Sequence, residues 1–559
     1  MMMSRSITIL FGLLVQALLV AQTGPQRYRV RFTDKGNTPF SLEQPEAYLS
    51  PRALERRQRQ GIAVDSLDLP VDPAYIDALL QWGEIELVNR SRWMNAVTIR
   101  TTDTLALDSL PQAPFVAEVR RVDDGVRVPE RIPDKFPGVS KSEIGTHYQE
   151  IYGASYRQVS MMNLHLLHQL AGGRGEGMLI GVLDSGFDGV DSADLFTPLR
   201  QRAGIRWTQD LAEPGGDVFQ RHWHGRSVLS VMAADAPGSL MGTAPKADYA
   251  LLRTEFEASE FIWEEDNWIA GAEVADSLGC DVLNTSLGYT TFEDSLTDHT
   301  YSELDGQTTR ISIAAGIAVE KGMVVVNSAG NSGNNGWFHI GAPADAFGIL
   351  AVGAVDHDRR TASFSSRGPS ADGRVKPDVA AVGVQCAALS PWDAAIIGVN
   401  GTSFSSPLVA GAAACLWQLH PDRSNVEIMD AIRRSASQWD APDAEQGFGI
   451  PDLWRAHLLL GGSDLTGLAG SKVLQVQPVP FDDFFVVELF TGAADRVKLQ
   501  LTDAAGRIAW QAEQVVDTEA YLQLRVQDEP LQRLGAGVYV LQVELGGTTL
   551  ARQVVKAGR

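Results

Sequence analysis

Asn400-Gly401-Thr402-Ser403-Phe404-Ser405-Ser406-Pro407 runs on into Leu408-Val409-Ala410-Gly411-Ala412-Ala413-Ala414, and this stretch decides how the chain is read. A Gly-Thr turn leads into small and apolar residues at helical spacing, which predicts a helix opening near Ser403. A helix N-terminus carries partial positive charge and N–H groups without intrahelical partners. A serine there has backbone donors at hand for a developing negative charge. The small residues behind it suit a helix buried on several sides. Pro407 falls within the first turn or just past it, where a missing N–H costs least. Taken by itself, the stretch also reads as a small-residue core helix with a serine cap.

Two further stretches bear on that choice. Met178-Leu179-Ile180-Gly181-Val182-Leu183-Asp184-Ser185-Gly186 is an apolar strand ending in an aspartate and a turn. His222-Trp223-His224-Gly225-Arg226-Ser227-Val228-Leu229-Ser230-Val231-Met232 puts a histidine at the head of an amphipathic helix. Alone, Asp184 reads as a turn or cap residue. His222 competes with His224, and the His-x-His pair raises a metal, which no other ligand motif supports. Acyl transfer by a serine needs the nucleophile, a base for its proton and donors for the oxyanion. The order Asp, His, Ser separates one class of serine hydrolase from those ordered His, Asp, Ser or Ser, Asp, His.

All three stretches resemble the motifs of subtilisin-like serine proteases, the subtilases. Ser328-Ala329-Gly330-Asn331-Ser332-Gly333 is similar to that family's oxyanion-hole turn. The resemblance covers roughly the middle 300 residues, enough for one α/β domain. It implies that Ser403 attacks the carbonyl, that His224 takes the proton and returns it to the leaving amine, and that Asp184 holds the His224 tautomer. It also implies an oxyanion hole made by the Asn331 side chain and the Ser403 N–H. The other reading of Asn331 is a turn residue tolerating a left-handed backbone beside Gly330; the two roles are compatible. Asn284-Thr285-Ser286-Leu287-Gly288 resembles the strand that pairs with substrate backbone, so Ser286, Leu287 and Gly288 are implied substrate-binding residues, with Ser328, Ala329 and Gly330 lining the primary pocket. An ordinary buried sheet edge is the alternative there. The family usually has Thr or Ser where Arg226 stands, a departure that touches the surroundings of His224. Phe364-Ser365-Ser366-Arg367-Gly368-Pro369 also resembles a subtilase loop, without assigned chemistry. Subtilases often bind calcium. No EF-hand-like loop is present, no metal ligand or cofactor is assigned, and scattered Asp and Asn residues leave a calcium site unlocated.

The 559 residues suffice for about three or four domains. Hydrophobic residues are 44% and charged residues 21%, an ordinary globular balance. The net charge of −22 argues against nucleic-acid binding through a basic face and suits solubility outside the cell. Cys280, Cys386 and Cys415 form no C-x-x-C pair and sit in apolar stretches, which predicts buried thiols, with one bridge left open. Arg5 precedes an apolar run from Ile7 to Ala21, the pattern of a signal peptide cleaved after Ala21. The alternative, a membrane anchor, needs about 20 apolar residues.

Tyr28–Phe32 alternates as a strand. Ser50-Pro51 and Asp72-Pro73 open helices through Arg59 and Trp82, and Ile85–Val88, Asn95–Arg100 and Phe115–Val122 read as strands. This small α+β unit, between a signal peptide and a protease, resembles a subtilase propeptide, which implies that it aids folding and covers the active site until removed. An independent binding domain is the alternative. Val126–Gly153 reads as the linker holding the processing site, and Leu164–Leu170 as a short helix. Strands at Tyr249–Leu252, Asp281–Leu283, Met323–Val326 and Ile349–Val355 then alternate with helices at Gly225–Ala234, Glu264–Leu278, Ile311–Glu320, Ser403–Leu419 and Val426–Arg434. The alternation predicts a doubly wound sheet with sites at the carboxyl ends of its strands.

After Gly462 about seven short strands with turns between them predict a β-sandwich. Gln477-Pro478-Val479-Pro480-Phe481, Asp503–Arg507 and Leu534-Gly535-Ala536-Gly537-Val538-Tyr539 resemble the C-terminal sorting domain of type IX secretion cargo in the Bacteroidetes, whose first motif usually has Asn where Val479 stands. A substrate-binding sandwich is the alternative.

The expected architecture is therefore α/β, a doubly wound, mostly parallel sheet with an N-terminal α+β domain and a C-terminal β-sandwich. Its segments are 1–21 signal peptide, 22–150 propeptide and linker, 151–462 peptidase and 463–559 sorting domain. The implied function is a secreted or surface-held serine endopeptidase with peptide substrates, its own propeptide and the type IX machinery as partners, and no nucleic acid. An esterase is disfavoured because no G-x-S-x-G surrounds Ser403. An inactive binding protein on a subtilase scaffold is the rival from another class; the four filled catalytic positions argue against it.

Overall fold

A computed structural model describes residues 26–36, 38–122, 151–462, 472–477, 481–491, 496–516 and 520–557. The signal segment and most of the linker lie outside the described residues. The N-terminal unit runs β1 (Gln26–Phe32), α1 (Pro51–Gln60), α2 (Pro73–Leu80), β2 (Ile85–Ser91), β3 (Ala96–Thr101), α3 (Thr104–Ser109) and β4 (Val116–Arg121). Its sheet is antiparallel in the order β2-β3-β1-β4. The alternation of β1 sorts its faces. Val30 and Phe32 join Ile76, Leu79 and Ile99 in a core. Arg27 and Arg29 face the next domain, Arg27 lying 3.5 Å over the Trp263 ring and Arg29 within 3.5 Å of Asp266. The Ser-Pro and Asp-Pro signals are helix starts: Ser50 Oγ accepts from Ala53 N–H at 3.1 Å and Asp72 Oδ1 from Ala74 N–H at 2.9 Å.

The second unit begins with α4 (Tyr156–Ser160) and α5 (Leu164–Leu166). A π-type turn, Leu167–Ala171, replaces the rest of the single helix expected over Leu164–Leu170. There follow β5 (Leu179–Asp184), α6 (Thr197–Gln201), β6 (Ile205–Asp210), α7 (His224–Ala233), a small hairpin of β7 (Asp235–Ala236) and β8 (Leu240–Met241), β9 (Asp248–Arg253), α8 (Trp263–Leu278), β10 (Val282–Thr285), α9 (Arg310–Glu320), β11 (Val324–Ser328), β12 (Leu350–Val355) and β13 (Val379–Val382). A hairpin of β14 (Cys386–Leu389) and β15 (Ile396–Val399) leads to α10 (Thr402–Leu419), α11 (Asn425–Ser435) and α12 (Leu453–Leu459). Seven strands form one parallel sheet in the order β13-β12-β11-β10-β5-β9-β6. α7 packs on α10 and α8 on α9, so helices flank the sheet and its central strands are buried end to end, as their unbroken apolar runs require.

The carboxyl ends of the strands carry the candidate groups. Asp184 ends β5 and Ser328 ends β11. The register that sets Thr285 beside Leu183 carries Ser286, the residue after β10, to the level of Asp184.

The C-terminal unit is a sandwich of β16 (Lys472–Gln477), β17 (Phe485–Thr491), β18 (Arg496–Thr502), β19 (Ile508–Val515), β20 (Ala520–Val526), β21 (Gly537–Leu545) and β22 (Thr548–Lys556), in sheets ordered β16-β17-β20 and β19-β18-β21-β22. Phe481, Val487, Leu499, Leu524 and Leu541 lie in its core. All three cysteines are free and buried, which removes the bridge the sequence left open. Among the described residues no helix is long and apolar enough to cross a membrane.

His168 is buried in the second unit, its Nε2 on the Thr243 carbonyl at 3.0 Å and its Nδ1 on the Tyr152 hydroxyl at 3.1 Å. Burial holds its pKa down to about 3. The unfolded chain therefore binds the extra proton between the ordinary histidine range and that value, and stability falls as pH drops through this window. A melting series on catalytically silent protein should show the midpoint falling from pH 6.5 toward pH 4, with a shallower fall in His168→Gln. Identical slopes in the two proteins would remove this role.

Candidate active site

The Asp184 carboxylate is fully buried. Its Oδ1 accepts from the Ser185 N–H at 2.8 Å, the Ser185 hydroxyl at 3.2 Å and His224 Nδ1 at 2.7 Å. An ionised carboxylate can only accept, so Nδ1 carries the proton and Nε2 is the basic nitrogen of His224. Gly225 makes this approach possible: a Cβ there would stand 2.4 Å from the Gly186 carbonyl oxygen and 2.9 Å from Asp184 Cβ.

His222, the other histidine of the His-x-His pair, packs beside His224. Its Nδ1 is bonded to Ser185 Oγ at 2.7 Å and its ring stacks 6.4 Å from that of His224. Burial, then the neighbouring His224, brings it down to about 4, so it is uncharged at neutral pH. Arg226, the departure from the family pattern, reaches toward the β14–β15 turn. Its Nη2 donates to the Ser390 and Pro391 carbonyls at 2.9 and 2.7 Å. Ser227 Oγ donates to the Leu389 carbonyl at 2.8 Å, so α7 is stitched to this hairpin.

Ser403 is the second residue of α10, whose cap, Gly401, has φ of 142°, in the range that favours glycine. Every residue from Thr402 to Trp417 is buried, which explains the run of alanines and glycine. Pro407 stands beyond the first turn, inside the helix. Having no N–H, it leaves the Ser403 carbonyl, four residues earlier, without its helical donor. The Ser286 hydroxyl donates to that carbonyl at 2.8 Å, and the Ser403 hydroxyl donates to the Ser286 carbonyl at 3.3 Å. This exchange ties the candidate nucleophile to the candidate substrate strand. Ser286→Ala strands a buried carbonyl and should cost about 1–3 kcal/mol in denaturant unfolding; a loss within error of zero would mean that something else satisfies it. The imidazole of His224 lies beside the same helix turn, 5.9 Å from the ring of Phe404.

Asn331 has its amide oriented by partners. Its Oδ1 accepts from the Thr402 N–H at 2.9 Å and the Thr402 hydroxyl at 3.0 Å, so Nδ2 is the outward, donating end. A Cβ on Gly401 would lie 3.7 Å from both Asn331 Nδ2 and the Ser403 nitrogen, so the two implied oxyanion donors converge there. The loop Phe364–Pro369, given no chemistry above, braces this turn. Ser366 donates its N–H to the Gly330 carbonyl at 2.9 Å, Ser366 Oγ accepts from Ser332 N–H at 3.0 Å, and Gly333 N–H bonds the Phe364 carbonyl at 2.8 Å. Thr402, Ser185 and Ser366 were not singled out from sequence; their hydroxyls reach Asn331, His222 and Ser332, each far along the chain.

The implied substrate-binding residues sit on two neighbouring chain segments. Leu287 presents its carbonyl to Asn327 Nδ2 at 3.1 Å and Ser328 Oγ at 3.2 Å, Ala329 N–H bonds the Val352 carbonyl at 2.9 Å, and Gly330 N–H bonds Thr402 Oγ1 at 3.3 Å. Gly288 is exposed. The walls are therefore backbone and small side chains held rigidly, with room beside Gly288.

Among the described residues the acids grouped closely enough for a metal are Glu255, Glu260 and Glu264. Glu264 accepts the Phe256 and Phe261 N–H groups at 2.7 and 3.2 Å, and Glu255 accepts the Tyr289 hydroxyl.

A family model described as the subtilase family, Peptidase_S8, matches residues 175–449, and one described as the Peptidase S8 propeptide domain of Bacteroidota matches residues 27–134. The chain is 31% identical over 283 residues to subtilisin E of Bacillus subtilis, covering 50% of this chain and 65% of that protein. It is 31% identical over 283 residues to the subtilisin of Bacillus pumilus, covering 50% of this chain and 90% of that protein. The solved structure of MycP1 from Mycobacterium smegmatis aligns with TM-score 0.42 at 19% identity, over 59% of this chain and 95% of that one. With the peptidase and propeptide models falling on the two domains described above, this chain belongs to the subtilase family of serine-type endopeptidases.

Proposed function

We propose that the protein is a secreted serine endopeptidase that hydrolyses peptide bonds through Asp184, His224 and Ser403 and is activated by removal of residues 22–150. The observation that carries this reading is the buried Asp184–His224 hydrogen bond of 2.7 Å beside the helix turn that bears Ser403. For reaction, the Ser403 hydroxyl exchanges its long contact with the Ser286 carbonyl for a hydrogen bond to His224 Nε2. The hydroxyl oxygen then attacks the scissile carbonyl while its proton passes to Nε2. Asp184 stabilises the imidazolium so formed. The Asn331 amide and Ser403 N–H take the oxyanion, the His224 proton leaves with the amine, and water releases the acyl group by the same route. Pairing of substrate backbone along Ser286–Gly288 gives affinity with little side-chain preference. Incubation of the mature protein with an unstructured polypeptide, followed by mass mapping of the termini, tests this: new internal termini that vanish in Ser403→Ala support it. Intact polypeptide at every enzyme level favours the inactive binding scaffold.

The C-terminal sandwich, on its Gln477–Phe481, Asp503–Arg507 and Leu534–Tyr539 motifs, is a sorting domain for type IX secretion in this reading, followed by surface attachment or release. Deleting residues 463–559 in a host with that pathway should retain the protein in the periplasm.

A further inference from the structure

We propose that Ser50–Asp68 is an anchoring strap: a second docking element, independent of the active site, that keeps the severed N-terminal domain seated on the protease through an arginine-binding acidic seat at the amino ends of the central strands. This rests on the reading of residues 22–150 as a propeptide. Strap residues meet the chain just before three neighbouring strands. Arg52 donates to the Gly177 carbonyl ahead of β5 at 2.7 Å and to the Gly279 carbonyl ahead of β10 at 3.0 Å, and pairs with Asp281. Arg56 donates to the Cys280 carbonyl. Gln60 donates to the Gly322 carbonyl ahead of β11 at 2.9 Å, and Lys321 returns two bonds, to Asp65 at 2.8 Å and Asp68 at 2.9 Å. Asp184 and Ser328 close the other ends of the same strands, so the strap lies about 15–20 Å from the chemistry. It cannot block substrate; it can only hold.

The centre of the seat is Asp276 on α8. Its carboxylate, fully buried, meets Arg56 on one oxygen and Arg57 and Arg92 on the other. Arg56 and Arg57 are themselves almost fully buried, and Arg57 also bonds Asp68 of the strap at 2.8 Å. Helix α1, Pro-Arg-Ala-Leu-Glu-Arg-Arg-Gln-Arg-Gln, thus buries guanidinium groups where a helix ordinarily buries an apolar stripe. Contact through matched charge is specific and little screened by salt when buried. Cutting the linker between residues 126 and 150 severs the chain without touching any of these bonds.

The test uses the full chain carrying Ser403→Ala and a recognition site for an added sequence-specific protease in the linker. After cutting, the N-terminal domain should co-elute with the body in high salt. Arg57→Ala or Asp276→Asn should speed its release about 100-fold or more, as removal of one partner from a buried pair predicts. Arg31→Ala, whose partner Glu118 lies in the same domain away from the seat, should leave release unchanged. Because the buried variants can fail to fold, Arg52→Ala with Arg59→Ala, at the half-exposed rim, is the companion; about tenfold faster release is expected. Release of the wild-type domain on cutting, or rates in folded variants equal to wild type, overturns the proposal. The protein in this test cleaves nothing, so the difference in release between wild type and the strap variants reads the strap, and loss of peptidase activity elsewhere would leave the result standing.

Discussion

Ser403→Ala should abolish proteolysis and leave the N-terminal domain covalently attached. The hydroxyl is the atom that forms the acyl bond, and no neighbouring group replaces it. Ser405 and Ser406 are on the same helix, but Ser406 Oγ donates to Asn284 Oδ1 at 2.9 Å and Ser405 is fully buried. The expected loss in kcat is about 10⁶-fold, the magnitude known for the corresponding change in subtilisin. Intact-mass measurement of protein made in a host lacking other proteases should find the mutant at its uncut mass and the wild type shortened at the linker. Normal shortening of the mutant would place the cut in other hands, and full peptidase activity in it would remove Ser403 from the chemistry.

Asn331 yields the second large effect, and its geometry allows the donor to be separated from the scaffold. Its oxygen holds Thr402 and its nitrogen is turned outward. Asn331→Ala removes both functions, whereas Asn331→Asp keeps an acceptor for Thr402 and places a carboxylate where negative charge must develop. Loss of one such donor in subtilisin costs about 2.7–4 kcal/mol, or about 10²–10³ in kcat. The expected order of kcat is wild type, then Asn331→Ala, then Asn331→Asp, with KM changed little, because the ground-state carbonyl does not need the donor. Equal activity of the wild type and both variants would mean that Asn331 is a turn residue only. If Asn331→Asp recovers activity relative to Asn331→Ala, the anchoring of Thr402 matters and the donor does not.

Much of this architecture was legible because the decisive groups sit at element boundaries with strong local signals. An apolar run ending in Asp184, a Gly after His224 and a Gly-Thr turn before Ser403 each mark a strand end or helix start within a residue or two. β6 was not read because it is the sheet edge: Ile205-Arg206-Trp207-Thr208-Gln209-Asp210 is largely open to solvent, so no continuous apolar run announces it. β13 and β14 are four-residue pieces that are half alanine, and β15 is equally short with a glycine inside it, so none of them shows a period. Helix α3 is only six residues long. The bond between Ser286 and the Ser403 carbonyl was hidden for another reason. Pro407 shows where a donor is missing, but the hydroxyl that supplies it stands 117 positions away in the chain. The partner of the α1 arginines was hidden for the same reason, since nothing local points to Asp276.

The account depends on His224, held by Asp184, activating Ser403. The direct measurement is the rate at which a fluorophosphonate bonds to Ser403 in mature protein, located by peptide mass mapping, in wild type and His224→Ala. The account predicts an adduct on Ser403 in the wild type, formed about 100-fold or more faster than in His224→Ala. No adduct on Ser403, or the same rate with and without the imidazole, would contradict it.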